Sequence, residues 1–142
     1  MNNIIYTYEI PPYKTWCELR KIAGWPTYTQ QTYNKVITNS LCFVIAKINK
    51  EIVGMGRLVG DNITSFYIQG VVVREQYQHQ GIGTGIVNKL LSYAENETLE
   101  FATVHLFAHK GTEPFYQRCG FILHPNERKG AGMSLIISKS RP

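Results

Sequence analysis

The stretch "REQYQHQGIGTGIVNKLL", Arg74 to Leu91, places glycines at positions 81, 83 and 85 between a run of valines and an amphipathic helix. A glycine inside a helix costs about 0.8–1.0 kcal/mol relative to alanine, so three at a helix start indicate that the backbone must stay bare there. The first amides of a helix have no intrahelical partner and carry partial positive charge. A strand, a glycine-rich turn and a helix N-terminus therefore predict an anion site suited to a diphosphate.

Outward from this stretch, apolar patterns and breakers predict alternating strands and helices. Asn49-Lys50 predicts a tight hairpin and Gly70 a bulge in its strand. We expect "FATVHLF" to form a buried central strand, and Thr112 to cap a short helix. The strands are predicted at residues 2–10, 41–48, 51–59, 63–73, 101–107 and 132–138, and the helices at 13–23, 29–39, from the glycine stretch to about Asn96, and after Thr112. This order predicts one mixed α/β (α+β) domain over residues 1–142.

The composition is that of a folded globular protein, with 142 residues, 44% hydrophobic and 18% charged. No apolar run approaches the roughly 20 residues of a membrane span, and the start shows no secretory signal, so we expect a cytoplasmic protein without a membrane partner. The three cysteines match neither a disulfide framework nor a metal motif. The net charge of +5 suits an anionic partner. Because the basic residues are scattered, we expect no nucleic-acid partner.

Two familiar phosphate motifs do not fit the glycine stretch. No GxxxxGK[ST] sequence is present, and a G-x-G-x-x-G fingerprint fails because Ile86 occupies its last glycine position. Residues 78–83, "QHQGIG", instead resemble the Q/R-x-x-G-x-G/A signature of the GNAT acetyltransferases, and "GVVVREQY" before them resembles that family's fourth strand. Further on, "EPFYQRCGF" resembles the family's F-Y-x-x-x-G-F turn, and the order of elements is similar across nearly the whole chain.

The resemblance implies the GNAT fold, a central mixed, mostly antiparallel sheet splayed at strands 4 and 5 and flanked by about four helices. It also implies acetyl-CoA as cosubstrate, no metal, and direct transfer of the acetyl group to an amine. Backbone groups of Val71, Val72 and Val73 would pair with the pantetheine arm. Amides of the glycine stretch would hold the pyrophosphate, namely those of Gln78, His79, Gln80, Gly81, Ile82, Gly83 and Thr84.

By the same resemblance, Tyr116 is the candidate acid, because a tyrosine hydroxyl with a pKa near 10 can donate a proton to a departing thiolate. Cys119 has no evident paired base, so we expect no acyl-cysteine step. The general base stays unassigned. Its stand-ins are Asp61, His105, His109 and Glu113.

The first two helices usually shape the acceptor pocket in this family, and here this region is rich in aromatic residues. It contains Trp16, Trp25, Tyr28 and Tyr33, and we expect two of these four to be core. The predicted substrate-binding residues are Trp25, Tyr28, Tyr33 and, on the fourth strand, Tyr67. These rings suit a small primary amine, and the chain is similar to small bacterial arylalkylamine-acetyltransferase-like enzymes. Protein or peptide acetylation and a non-catalytic acyl-CoA sensor stay open as alternatives, as does a homodimer.

Overall fold

The computed structural model describes residues 3–139, and within them the mixed α/β architecture is confirmed. The elements are β1 (Ile4–Thr7), α1 (Tyr13–Ile22), α2 (Gln30–Asn39), β2 (Cys42–Ile48), β3 (Glu51–Gly60), β4 (Ser65–Val73), α3 (Ile82–Glu97), β5 (Thr103–His105) and α4 (Glu113–Arg118), with a 3-10 turn at Glu75–Tyr77 between β4 and α3. The chain divides into two compact units, the first ending at Leu106 and the second beginning at Phe107.

The first unit contains one sheet with the strand order β1-β2-β3-β4-β5. Every neighbouring pair is antiparallel except β4 and β5, which run parallel. The predicted hairpin joins β2 to β3 through Asn49 and Lys50, whose φ angles of 49° and 71° are both left-handed. Two such residues in a row match the twist of the flanking strands, and asparagine tolerates this conformation well.

The predicted bulge lies in β4 at Gly70. Met55 pairs with Val72 and Arg57 pairs with Gln69, so two residues of β4 face one residue of β3 at this point. Gly70 has a φ of +70°, a conformation that glycine adopts without strain. The predicted splay of strands 4 and 5 is also confirmed, because the β4–β5 pairing ends at Tyr67 and His105 while β4 continues to Val73.

Helices cover both faces of this sheet. Under α1 and α2, an apolar cluster forms between the helices and the sheet; its buried members are Trp16, Leu19, Tyr33, Phe43, Ile45, Met55 and Val72. On the opposite face, α3 lies close to β3 because Gly54 and Gly56 stand beneath it. A Cβ on Gly56 would come within 2.8 Å of Ile86 and 3.0 Å of Leu90. The glycines of β3 therefore set how closely the helix approaches the sheet.

Two strand predictions are wrong. The strand predicted over residues 101–107 is reduced to Thr103–His105 at the edge of the sheet, and Phe101 and Phe107 are exposed rather than buried on both faces. The strand predicted over residues 132–138 is absent from the described chain, where Met133, Leu135, Ile136 and Ile137 are all at least 84% exposed. The composition of a segment indicates how well its side chains would pack in a sheet. It does not show whether a neighbouring strand is present to pair with it.

Among residues 3–139, every helix falls short of the length and apolarity needed to cross a bilayer.

Candidate functional site

The edge of β4 beyond Tyr67 is open on the side that faced β5. Within the described residues no strand pairs with residues 68–73 on that side, while Arg74 still donates its backbone N–H to the Val53 oxygen of β3 at 2.8 Å. Val72 is buried with its side chain in the cluster under α1. The open edge therefore presents backbone groups rather than side chains, which is how a sheet accepts an extended ligand as an additional strand.

The open edge leads directly into a turn lined by backbone amides. His79 and Gly81 have φ angles of 63° and 83°, and Gly81 stands at the N-cap of α3. In the part of the chain that the structure describes, the backbone N–H groups of residues 79–84 have no backbone acceptor. Alternating right- and left-handed residues that leave successive amides unpaired form an anion-binding concavity. This turn fits a pyrophosphate.

The side chains of the turn contribute less than its backbone. Gln78 donates its side-chain amide to the Val73 oxygen at 3.0 Å and ties the turn to β4. Ile82 is 1% exposed and belongs to the core, so only its amide is available. Gln80 and Thr84 are exposed.

The glycines of this stretch serve different purposes. A Cβ on Gly81 would meet no atom within 4 Å, so that glycine supplies the left-handed conformation and an unobstructed surface. A Cβ on Gly85 would overlap the ring of Tyr6 on β1. Gly85 therefore permits close packing of α3 on the sheet, a purpose different from the phosphate contact that the sequence predicted.

We expect Gly81→Ala to weaken coenzyme A binding about tenfold, or ~1.4 kcal/mol, because the new methyl group stands on the phosphate-facing surface and alanine resists the left-handed conformation. Gly24→Ala is a matched control, since Gly24 has a φ of +77° and equally open surroundings. Both variants should lose about 1 kcal/mol of unfolding free energy. Calorimetric titration with coenzyme A, alongside urea unfolding, checks this; equal affinities in the two variants would contradict it.

The second unit contains the candidate acid on α4. Helix α4 ends in a Schellman motif, in which Phe121 donates its N–H to the Tyr116 oxygen at 3.0 Å and Gly120 donates to the Gln117 oxygen at 3.0 Å. Gly120 has the left-handed φ of +101° that the motif requires. The glycine and the last phenylalanine of the F-Y-x-x-x-G-F pattern thus form the C-terminal cap of α4.

The ring of Tyr116 is held between two aromatic neighbours, with Phe115 at 4.9 Å and Phe121 at 6.0 Å between ring centroids, both edge-to-face. Burial raises the pKa of Tyr116 to about 12, and the neighbouring Cys119 adds to the shift. The hydroxyl is therefore protonated throughout the neutral range. Burial also raises the pKa of Cys119, which leaves its thiol protonated and unreactive.

Both carboxylates among the stand-ins for the base are engaged in local hydrogen bonds. The carboxylate of Asp61 accepts from the backbone N–H groups of residues 63, 64 and 65 and from the Thr64 hydroxyl. These hydrogen bonds hold the pKa of Asp61 well below its usual range. Glu113 accepts the Gly111 N–H at 2.8 Å, His105 lies on β5, and His109 precedes α4 with its carbonyl accepting from Thr112. Asp61 is a turn cap rather than a base.

We expect Asp61→Asn to lower the free energy of unfolding at neutral pH, because an amide satisfies the turn amides less well than a carboxylate. The folded-state pKa of Asp61 lies below its unfolded value of about 3.9, so its stabilisation is present above that value and is lost as the pH falls below it. Urea unfolding at pH 7 and pH 3 should therefore show a difference between the variant and the wild type that shrinks at pH 3. A constant difference would contradict this account.

Three of the four predicted substrate-binding aromatics, Trp25, Tyr28 and Tyr33, are linked through Trp16 and Arg20. The fourth, Tyr67, lies on β4 and pairs with His105 of β5. Tyr33 is 7% exposed and donates its hydroxyl to the Pro11 oxygen at 2.6 Å, so with Trp16 it belongs to the core, as expected of two aromatics in this region. Trp25 and Tyr28 contact the guanidinium of Arg20, which stands 5.6 Å and 5.1 Å from their ring centroids. Their faces thus meet an arginine of the chain itself, where the sequence suggested a substrate ammonium.

Two arginines near these rings were missed by the sequence reasoning. Arg20 of α1 is buried. Arg57 of β3 donates to the Ser40 hydroxyl at 3.1 Å and to the Gln69 side chain. The sequence pattern does indicate that both arginines face the core. Arg20 follows the buried Trp16 by four residues and so shares its helix face, and Arg57 follows the buried Met55 by two residues and so shares its face of the sheet.

Within the described residues there is no group of three or more His, Cys, Asp or Glu side chains arranged to hold a metal ion.

A bulged strand with an open edge, leading into an amide-lined turn at a helix N-terminus, is typical of a protein that binds an extended, phosphate-bearing cofactor. The family model for the acetyltransferase (GNAT) domain matches residues 16–137. The chain belongs to the GNAT acetyltransferase family, and its sheet and helices are those of the GNAT fold.

The chain is also similar to individual acetyltransferases. The probable acetyltransferase SA2161 from methicillin-resistant Staphylococcus aureus is 31% identical with a TM-score of 0.83, and the match covers 95% of this chain and 100% of that one. The uncharacterized N-acetyltransferase ycf52 of Pyropia yezoensis is 32% identical over 58% of this chain. Histone acetyltransferase TAP1 of Glycine max is 26% identical over 76% of this chain. The matches span 46% and 51% of the lengths of these two relatives.

Proposed function

We propose that this protein transfers an acetyl group from acetyl-CoA to the primary amine of a small-molecule acceptor, by direct attack in a ternary complex. The observation that carries the proposal is the continuity of the open β4 edge with the amide-lined turn. Family membership supports acetyl transfer. A strand edge followed by an anion site matches, in order, a pantetheine arm followed by a pyrophosphate.

The chain's own groups would bind and orient the cofactor. Backbone groups of Val71, Val72 and Val73 would pair with the pantetheine amides, and the N–H groups of residues 79–84 would bind the pyrophosphate. The bulge takes Gly70 and Val71 out of the β3 register, so a backbone N–H here is available to polarise the acyl carbonyl. Acetyl-CoA supplies an activated acyl group and a thiolate leaving group.

The proton balance requires two groups of the protein or solvent. The acceptor nitrogen forms a bond to the acyl carbon and loses a proton, while the carbon–sulfur bond breaks and the sulfur gains one. We propose that the Tyr116 hydroxyl donates to that sulfur, as the resemblance implies. With a pKa of about 12, this hydroxyl serves best as a hydrogen-bond donor that stabilises the developing thiolate.

Thiol release from acetyl-CoA tests the proposal, with arylalkylamines, polyamines, amino acids, amino sugars and lysine-containing peptides as acceptors. We expect release well above hydrolysis with at least one small amine, and coenzyme A binding by calorimetry. If coenzyme A binds but no acceptor causes thiol release, the alternative of a non-catalytic acyl-CoA sensor is favoured. No binding at all would overturn the cofactor site.

Protein acetylation is a second candidate, favoured by the relative named histone acetyltransferase TAP1. Under that alternative, lysine-containing peptides would release thiol faster than every small amine in the same assay.

A further inference from the structure

We propose that the acceptor carries an anionic group, a carboxylate or a phosphate, in addition to its amine, and that Arg20 and Arg57 bind this group. This inference rests on the proposed function, because it names the class of acceptor for the same site. It starts from a buried and a half-buried arginine, neither of which pairs with a carboxylate among residues 3–139.

Arg20 is the only charged residue that the described chain buries this deeply, with 8% of its surface exposed. Its guanidinium lies 5.1 Å from the ring centroids of Trp16 and Tyr28 and 5.6 Å from that of Trp25. Its Nε donates to the Pro26 oxygen at 2.8 Å. The Nη atoms donate to no residue among residues 3–139, so their hydrogen-bonding capacity remains for a ligand.

Arg57 adds a second cation with neutral partners only. Its Nη atoms donate to the Ser40 hydroxyl and to the Gln69 side-chain oxygen. Burial lowers the pKa of Arg57, and the positive charge of Arg20 lowers it further. Arg20 shares a helix face with Trp16, and Arg57 shares a sheet face with Met55. Trp16 and Met55 belong to the same buried cluster, so the two arginines lie at one interface between α1 and β3.

Among the described residues, no carboxylate pairs with either arginine. Within residues 3–139 the salt bridges join Lys47 to Glu9 and Arg74 to Glu18, and neither arginine of the pair takes part. A buried and a half-buried positive charge without a counter-ion are costly to retain. A bound oxyanion would remove that cost, and the planar guanidinium matches carboxylate and phosphate oxygens with two parallel hydrogen bonds.

The pair also lies at the right place along the sheet. Arg57 pairs across the strands with Gln69, the residue directly before the Gly70 bulge. The Arg57 guanidinium itself donates to the Gln69 side chain, so an anion on Arg57 lies beside the residue that precedes the bulge. This placement suits a compact acceptor that carries both an amine and an anion, such as an amino acid or a phosphorylated amino sugar, better than a long polyamine.

The test compares matched acceptors in the thiol-release assay, phenethylamine with phenylalanine and glucosamine with glucosamine 6-phosphate. For the wild type we expect kcat/KM to be at least about tenfold higher for the anionic member of one pair, and the pair concerned distinguishes carboxylate from phosphate. Arg57→Gln should lower kcat/KM about 10–100-fold for that member and less than about threefold for its neutral partner. Lys47→Gln removes a half-buried cation that pairs with Glu9, and it should change neither value.

Folding of the arginine variant is checked by its melting curve and by coenzyme A affinity, and Arg57→Lys replaces it if it does not fold. The lysine keeps the charge but loses the bidentate geometry, so a partial loss for the anionic acceptor is expected. Equal or faster turnover of both neutral amines would overturn the inference and leave the acetyltransferase intact. If no amine is acetylated, the proposed function fails. The inference is then decided by calorimetric binding of inorganic phosphate, which Arg57→Gln must weaken at least tenfold.

Discussion

Replacing Tyr116 by phenylalanine should lower kcat about 100–1000-fold while leaving the affinity for acetyl-CoA within twofold. The substitution removes one hydroxyl and keeps the ring between Phe115 and Phe121, so the helix and its C-cap should persist. Without the hydroxyl, the departing thiolate must be stabilised by solvent. Steady-state kinetics with the best acceptor, together with calorimetric titration of acetyl-CoA, measure the two effects separately.

Tyr93→Phe provides the control, because Tyr93 lies on α3 and contacts Tyr8 through an edge-to-face ring pair. It should leave both kcat and cofactor affinity unchanged. Since burial raises the pKa of Tyr116 to about 12, its protonated form predominates at all lower pH values, and the wild-type rate should show no loss from its ionisation up to about pH 10. A Tyr116→Phe enzyme that keeps a third or more of kcat would contradict the assignment.

The local features of the site could be predicted from the sequence because each depends on neighbouring residues. The Asn49-Lys50 hairpin and the Gly70 bulge follow from backbone preferences of the residues that form them. The turn before α3 follows from a glycine at the position that must be left-handed. The helix C-cap after Tyr116 likewise follows from Gly120.

Features that depend on distant partners could not be predicted in this way. Gly85 needs to be bare because of Tyr6, a residue that lies on another element and far away in the sequence. The aromatic residues near α1 suggested a cage for a substrate cation, but Arg20 of the same helix occupies their faces. Composition reports that rings and cations are present, and only the tertiary structure decides which of them meet.

Gly60→Ala should be the most destabilising of the glycine substitutions considered, with a loss of about 2–4 kcal/mol of unfolding free energy. Gly60 ends β3 with a φ of +147°, and a Cβ there would overlap the backbone oxygen of Ser65 and lie 3.0 Å from the Cα of Phe66. Both atoms belong to the backbone of β4, so no side-chain rotation relieves the clash. Urea unfolding measures the loss, and since domains are stabilised by only about 5–15 kcal/mol, the midpoint should fall sharply.

Gly24→Ala separates the two causes of this loss. Gly24 is also left-handed, with a φ of +77°, but a Cβ there would meet nothing within 4 Å, so only the conformational cost of about 1 kcal/mol is expected. If both variants lost the same amount, the contact with β4 would not matter and the account of Gly60 would be wrong. Gly60 pairs with Phe66 near the start of β4, four residues before Gly70 of the bulge. Folded Gly60→Ala protein should therefore bind coenzyme A as the wild type does, which separates the stability of the sheet from the chemistry of the site.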